Sequence, residues 1–92
     1  MTEQAFLKHL DAHGPLLRKL CSLYGNDREE RRDLYQEMVL QAWRSVGRFD
    51  GRAKFSTWLY RVALNVALTY RRREARRPRM VGYDEAPPLA TP

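Results

Sequence analysis

Ninety-two residues, 43% of them hydrophobic and 30% charged, suffice for one small domain and exclude a multidomain machine. A formal charge of +6 and an isoelectric point near 10.0 favour a polyanionic partner, because each phosphate neutralised by Lys or Arg releases counterions. The lone cysteine, Cys21, excludes an internal disulfide framework, and neither a basic-then-apolar leader nor an apolar run of spanning length occurs, so a membrane-free, cytoplasmic domain is expected.

A core of this size supplies about 3–5 kcal/mol net, so aromatic packing has to be dense. Phe6, Trp43, Phe49, Phe55 and Trp58 are the expected anchors. Thr2 can cap a first helix over 2–13 that carries Ala5, Phe6, Leu7 and Leu10. Gly14-Pro15 interrupts it, since proline lacks an amide hydrogen and clashes with the preceding turn. A second segment over 15–24 aligns Leu16, Leu17, Leu20, Cys21 and Tyr24; one bent helix or two short ones satisfy the pattern equally. His9 and His13 have the i, i+4 spacing that can share a metal, but the chain has no third histidine and no metal is expected. Cys21, between Leu20 and Leu23, reads as a buried core thiol.

Tyr24-Gly25-Asn26-Asp27 is a helix stop joined to a helix start. Gly25 suits the left-handed position after a helix end, Asn26 or Asp27 can cap the next helix, and Glu29 and Glu30 are placed for a capping box. That helix is predicted over 28–46, with Leu34, Tyr35, Met38, Val39, Ala42 and Val46 as its buried stripe. Outside that stripe Asp33, Gln36, Glu37, Leu40, Gln41 and Arg44 make a mixed face that suits either water or a partner helix. Residues 47–53 break the periodicity as a loop, on which Phe49 is either a core anchor or a stacking surface for an unpaired base.

The last helix is predicted over 54–77. Phe55, Trp58, Leu59, Val62, Ala63, Val66 and Tyr70 form its apolar stripe, and Lys54, Thr57, Arg61, Asn65 and Arg72 share another face. Arg71, Arg72, Arg73, Arg76 and Arg77 make its end strongly cationic. The expected fold is an all-α compact bundle of three to four helices over 1–77, with a linker or tail at 78–92. No glycine-rich phosphate loop, catalytic dyad or nucleophile with an adjacent base is present, so neither catalysis nor a cofactor is expected.

Asp33-Leu34-Tyr35-Gln36-Glu37 with Trp43 beyond it, then Phe49, Phe55, Thr57-Trp58-Leu59-Tyr60-Arg61 and Asn65, resemble region 2 of bacterial RNA polymerase sigma factors, the extracytoplasmic-function class in particular. The resemblance covers most of Leu16 to Arg73 and joins two separate motifs at consistent spacing. The sequence departs from the common pattern at Val39, Leu64, Thr69 and Arg71.

That resemblance implies an all-helical, monomeric module whose Asp-Leu-x-Gln-Glu helix binds the clamp coiled coil of the polymerase beta-prime subunit through Asp33, Gln36, Glu37, Leu40, Trp43 and Arg44. It also implies recognition of the promoter minus-10 element as unpaired non-template strand. Phe49, Arg61, Val62 and Asn65, with Ser45 as a wall, would take a flipped base, while Arg48, Arg52, Lys54, Arg72 and Arg73 would hold phosphates without reading sequence. An anti-sigma factor would be a further partner, and a second, minus-35-binding domain would lie beyond this chain. Two rivals stay open: an ordinary duplex-binding helical domain, and a protein-interaction module whose arginines meet an acidic partner.

Overall fold

The computed structural model describes residues 1–76, and among these residues it contains four α-helices and no strand. They are α1 (Glu3–Ala12), α2 (Gly14–Tyr24), α3 (Arg28–Ser45) and α4 (Phe55–Arg76), with a 3-10 turn, Val46–Arg48, running on from α3. The expected all-α bundle therefore forms. Arg77 and the expected linker at 78–92 lie outside the described residues.

The Gly14-Pro15 break resolves into two short helices. Thr2 caps α1 by accepting a hydrogen bond from the Ala5 amide at 3.1 Å. His13 leaves helical geometry at φ −108°, ψ 17° while its N–H donates to the carbonyls of His9 and Leu10. Pro15 then falls in the first turn of α2, where its missing N–H would have had no intrahelical acceptor. The two histidines serve packing. His13 Nδ1 lies 2.7 Å from the His9 carbonyl oxygen, and both rings lie against Phe55, with centroids 4.9 and 5.4 Å away.

The turn between α2 and α3 departs from expectation at Gly25, which is extended (φ −90°, ψ 136°) rather than left-handed. Its requirement for glycine is steric. A Cβ there would stand 2.7 Å from Arg31 Cγ and 3.0 Å from both the Arg31 amide nitrogen and the Cys21 carbonyl oxygen. Asp27 is the cap of α3: its Oδ1 accepts from the Glu30 amide at 2.8 Å, and Glu30 Oε1 reaches back to the Asn26 amide at 2.8 Å. One amide hydrogen left orphaned by the helix start, and one from the turn just before it, are thus satisfied by neighbouring carboxylates.

Burial tracks the predicted stripes. Leu34, Met38, Ala42 and Val46 meet Phe55, Leu59, Ala63 and Ala67, with Leu17, Leu20 and Cys21 of α2 and Phe6 and Leu10 of α1 closing the core. Ala67, absent from the predicted stripe, is fully enclosed; with Ala63 it lets the backbone of α4 approach its neighbours. The start of α3 lies beside Tyr70, near the end of α4, and a short connection joins the opposite ends, so α3 and α4 run antiparallel. Cys21 Sγ contacts Met38 Sδ at 3.8 Å, and burial pushes its thiol up from the ordinary 9.0, as a core cysteine requires. Trp43 is a correction: it is 43% exposed, laying one side of its ring against Phe6 at 5.1 Å instead of anchoring the core.

Candidate functional site

Antiparallel packing of α3 and α4 leaves a groove of about 430 Å³ between their outer edges. Asp33, Leu34, Glu37, Gln41 and Ser45 line it from α3, and Val62, Asn65, Val66, Thr69, Tyr70 and Arg73 from α4. The two ends of this groove differ chemically. Ser45, Val62 and Asn65 give a hydroxyl, an apolar wall and an amide that both donates and accepts. Asp33, Glu37 and Arg73 give charges of both signs. Glu37 is steadied by Gln41, whose Nε2 donates to Glu37 Oε2 at 2.9 Å. Tyr70 turns its hydroxyl inward; burial, then the neighbouring Glu30 carboxylate, holds that phenol well above its ordinary range.

Arg61, Asn65 and Arg72 are exposed at i, i+4 and i+11 on one face of α4, as the periodicity predicts. Val62 is half-buried at the groove edge. Phe49 does not line the groove; it packs edge-on against Phe55 at 5.7 Å and tilted against Trp58 at 5.4 Å, as a core anchor would. Trp58, Val62 and Asn65 stand at i, i+4 and i+7, so this aromatic cluster continues along α4 toward the groove. Arg52 is also partly committed. Its backbone N–H donates to Asp50 Oδ1 at 3.0 Å and its Nε lies 3.3 Å from Asp50 Oδ2, around a left-handed Gly51 (φ 83°). Arg48 and Lys54 are exposed on either side of that turn.

The six α3 residues expected to bind the polymerase are all exposed, but they face two ways. Asp33 and Glu37 lean into the α3/α4 groove, whereas Gln36, Leu40 and Trp43 line a second groove of about 460 Å³ against Glu3, Phe6 and Leu7 of α1. Arg44 lines neither. The six form one continuous convex arc, 33–36/37–40–43/44 at three- and four-residue steps, with a groove along each edge.

The sigma-70 region 2 family model matches residues 9–77, spanning α2, α3, α4 and the end of α1. The chain belongs to the sigma-70 region 2 family. It is 42% identical over 53 residues to the RNA polymerase sigma-H factor of Pseudomonas aeruginosa, a match covering 58% of this chain and 28% of that protein. It is 46% identical over 46 residues to the ECF RNA polymerase sigma-E factor of Haemophilus influenzae, covering 50% and 24% respectively. With the ECF RNA polymerase sigma factor SigW of Bacillus subtilis it shares 33% over 66 residues, 72% of this chain and 35% of the relative. The chain thus spans between a quarter and about a third of the length of these relatives. No solved structure matches it.

In this region 2 domain, two contributors to the surfaces lie outside the sequence motifs. Leu7, 51% exposed, borders the α1/α3 groove although it precedes the resemblance; its place off the Phe6–Leu10 stripe is the available signal. Thr69 lines the α3/α4 groove, visible only once the two helices are paired. No helix among the described residues is long and apolar enough to cross a membrane, and no group of three or more metal-ligating side chains occurs among them.

Proposed function

We propose that this sigma-70 region 2 domain serves transcription initiation by two adjoining contacts. The exposed arc of α3 binds the RNA polymerase core at the beta-prime clamp helices. The Ser45–Val62–Asn65 end of the α3/α4 groove takes an unpaired base of the non-template minus-10 strand. The observation that carries this assignment is the position of Asn65: exposed, on the cationic face of α4, and at the mouth of a groove with an apolar wall. An asparagine amide reads a base edge with donor and acceptor together, while Arg61 and Arg72 on the same face neutralise phosphates.

Opening a duplex costs a few kcal/mol per unstacked step, so binding energy spent on extruded bases biases melting without any catalysis by this domain. Phe49, seated with Phe55 and Trp58, is assigned to the platform beside the groove rather than to its lining. Charged residues on the α3 arc set register on the clamp and Leu40 supplies buried area. The domain acts in the cytoplasm with the polymerase, and an anti-sigma factor would compete for these surfaces.

The test compares a single-stranded minus-10 oligonucleotide with its matched duplex, for the native chain and for Asn65→Ala. Preference for the single strand, reduced at least tenfold in the variant with polymerase binding intact, is expected. A preference for duplex that survives the substitution would replace this assignment with groove binding by α4.

A further inference from the structure

The end of α3 remote from the loop carries a feature that neither contact uses. Arg18 of α2 and Arg31 and Arg32 of α3 line a concavity of about 440 Å³, whose other lining residues are Cys21, Ser22, Tyr35 and Gln36. All three arginines are exposed, and none is ion-paired among the described residues. Two of them lie against glycines at opposite ends of α2. A Cβ on Gly14 would meet Arg18 Nη1 at 2.9 Å, so the missing side chain leaves room for that guanidinium to fold back over the first turn of α2. Gly25 does the same for Arg31, whose Cγ occupies the space a Cβ would need. Three arginines bordering one concavity whose lining holds no carboxylate favour an anion from outside.

This concavity adjoins the apolar α1/α3 groove at Tyr35 and Gln36, which line both. One end of the combined track is therefore cationic, and the other presents Leu7, Leu40 and Trp43 to solvent at 51, 41 and 43% exposure. A nucleic-acid backbone would satisfy the first end and leave the second in water. An amphipathic helix with carboxylates on one turn and apolar side chains further along satisfies both.

We propose that Arg18, Arg31 and Arg32 form a carboxylate-receiving subsite at the end of the polymerase-binding surface, filled by an acidic turn of the same helix whose apolar side chains cover Leu40 and Trp43. This rests on the assignment of α3 to polymerase binding. Leu40 lies eight residues from Arg32, about 12 Å along the helix at 1.5 Å per residue. The docked helix is thus required to carry its carboxylates roughly two turns from its apolar anchor.

The test measures affinity of the full chain for purified bacterial RNA polymerase core at low and high salt. The variant carrying Arg18→Gln, Arg31→Gln and Arg32→Gln is expected to bind at least tenfold more weakly at low salt, with the difference shrinking as salt rises and single-stranded minus-10 binding unchanged. Thermal unfolding of the variant checks its fold, and if the triple variant unfolds the three single glutamine variants are read instead. Wild-type affinity for the core, or a loss confined to DNA binding, overturns the subsite. The paired variant Leu40→Ala, Trp43→Ala separates the two levels: if it loses the core while the arginine variants do not, polymerase binding by α3 stands and the subsite falls. If it too binds like the native chain, both fall.

Discussion

Phe49 shows how one side chain can be pulled between packing and ligand binding. Its ring is half-buried, in contact with both Phe55 and Trp58, and the cluster continues through His9 and His13 on the far side of Phe55. A fully enclosed phenylalanine truncated to alanine costs about 3–5 kcal/mol, and a half-buried one making two aromatic contacts is expected to cost about 2 kcal/mol. Urea denaturation of Phe49→Ala checks this. A midpoint equal to that of the native chain would mean the ring contributes little to the cluster and is available to reach a base. A clear loss of stability means promoter-opening assays on this variant have to be run well below its melting temperature, so that a lost platform is not mistaken for a lost fold.

At the scale of elements, the helices and their inner faces are legible in the sequence because a 3.6-residue period writes burial directly into the order of residues. Every residue of the predicted α3 and α4 stripes is buried or half-buried, and the Asp27–Glu30 capping box forms from residues whose types favour caps. The illegible part depends on how one helix meets another. A left-handed φ is the commonest reason for glycine after a helix, whereas the operative reason at Gly25 is the close approach of Arg31, six residues on. The size of Trp43 suggests an anchor, although its contact with Phe6 of α1 leaves it 43% exposed. The candidate site divides in the same way: Asn65, Arg61 and Arg72 share a face by local spacing, but the shared groove of Asn65 and Ser45 with Glu37 arises from the antiparallel register of two helices. Two glycines test the steric account. Gly25→Ala is expected to destabilise by about 1–3 kcal/mol, since its Cβ meets backbone on both sides. Gly47→Ala, with nothing within 4 Å of its Cβ and no left-handed φ, is expected to be neutral or stabilising by up to about 1 kcal/mol. Equal midpoints for the two in thermal unfolding would remove close approach as the reason for Gly25.

Across the whole molecule the excess positive charge is not spread evenly, and its distribution decides how much each arginine can give to DNA. Arg72 is exposed on the same face as Asn65 and borders no groove carboxylate. Arg73, one residue on, lines the α3/α4 groove together with Asp33 and Glu37, whose carboxylates oppose its field without forming an ion pair. Arg52 sits 3.3 Å from Asp50, though both are so exposed that their pairing is weak. Each phosphate neutralised on a single strand contributes about 0.7 to the slope of log affinity against log salt. Arg72→Gln is therefore expected to flatten that slope by about 0.7, and Arg73→Gln and Arg52→Gln by visibly less. Titrating the minus-10 single strand at four or five salt concentrations distinguishes these cases. If the three variants flatten the slope equally, phosphate contact at this domain depends on proximity to the DNA alone, and the carboxylates of α3 exert no hold on the arginines opposite them; if Arg73→Gln has the smaller effect, a partner that draws Asp33 and Glu37 away on binding α3 would also release Arg73 toward the strand.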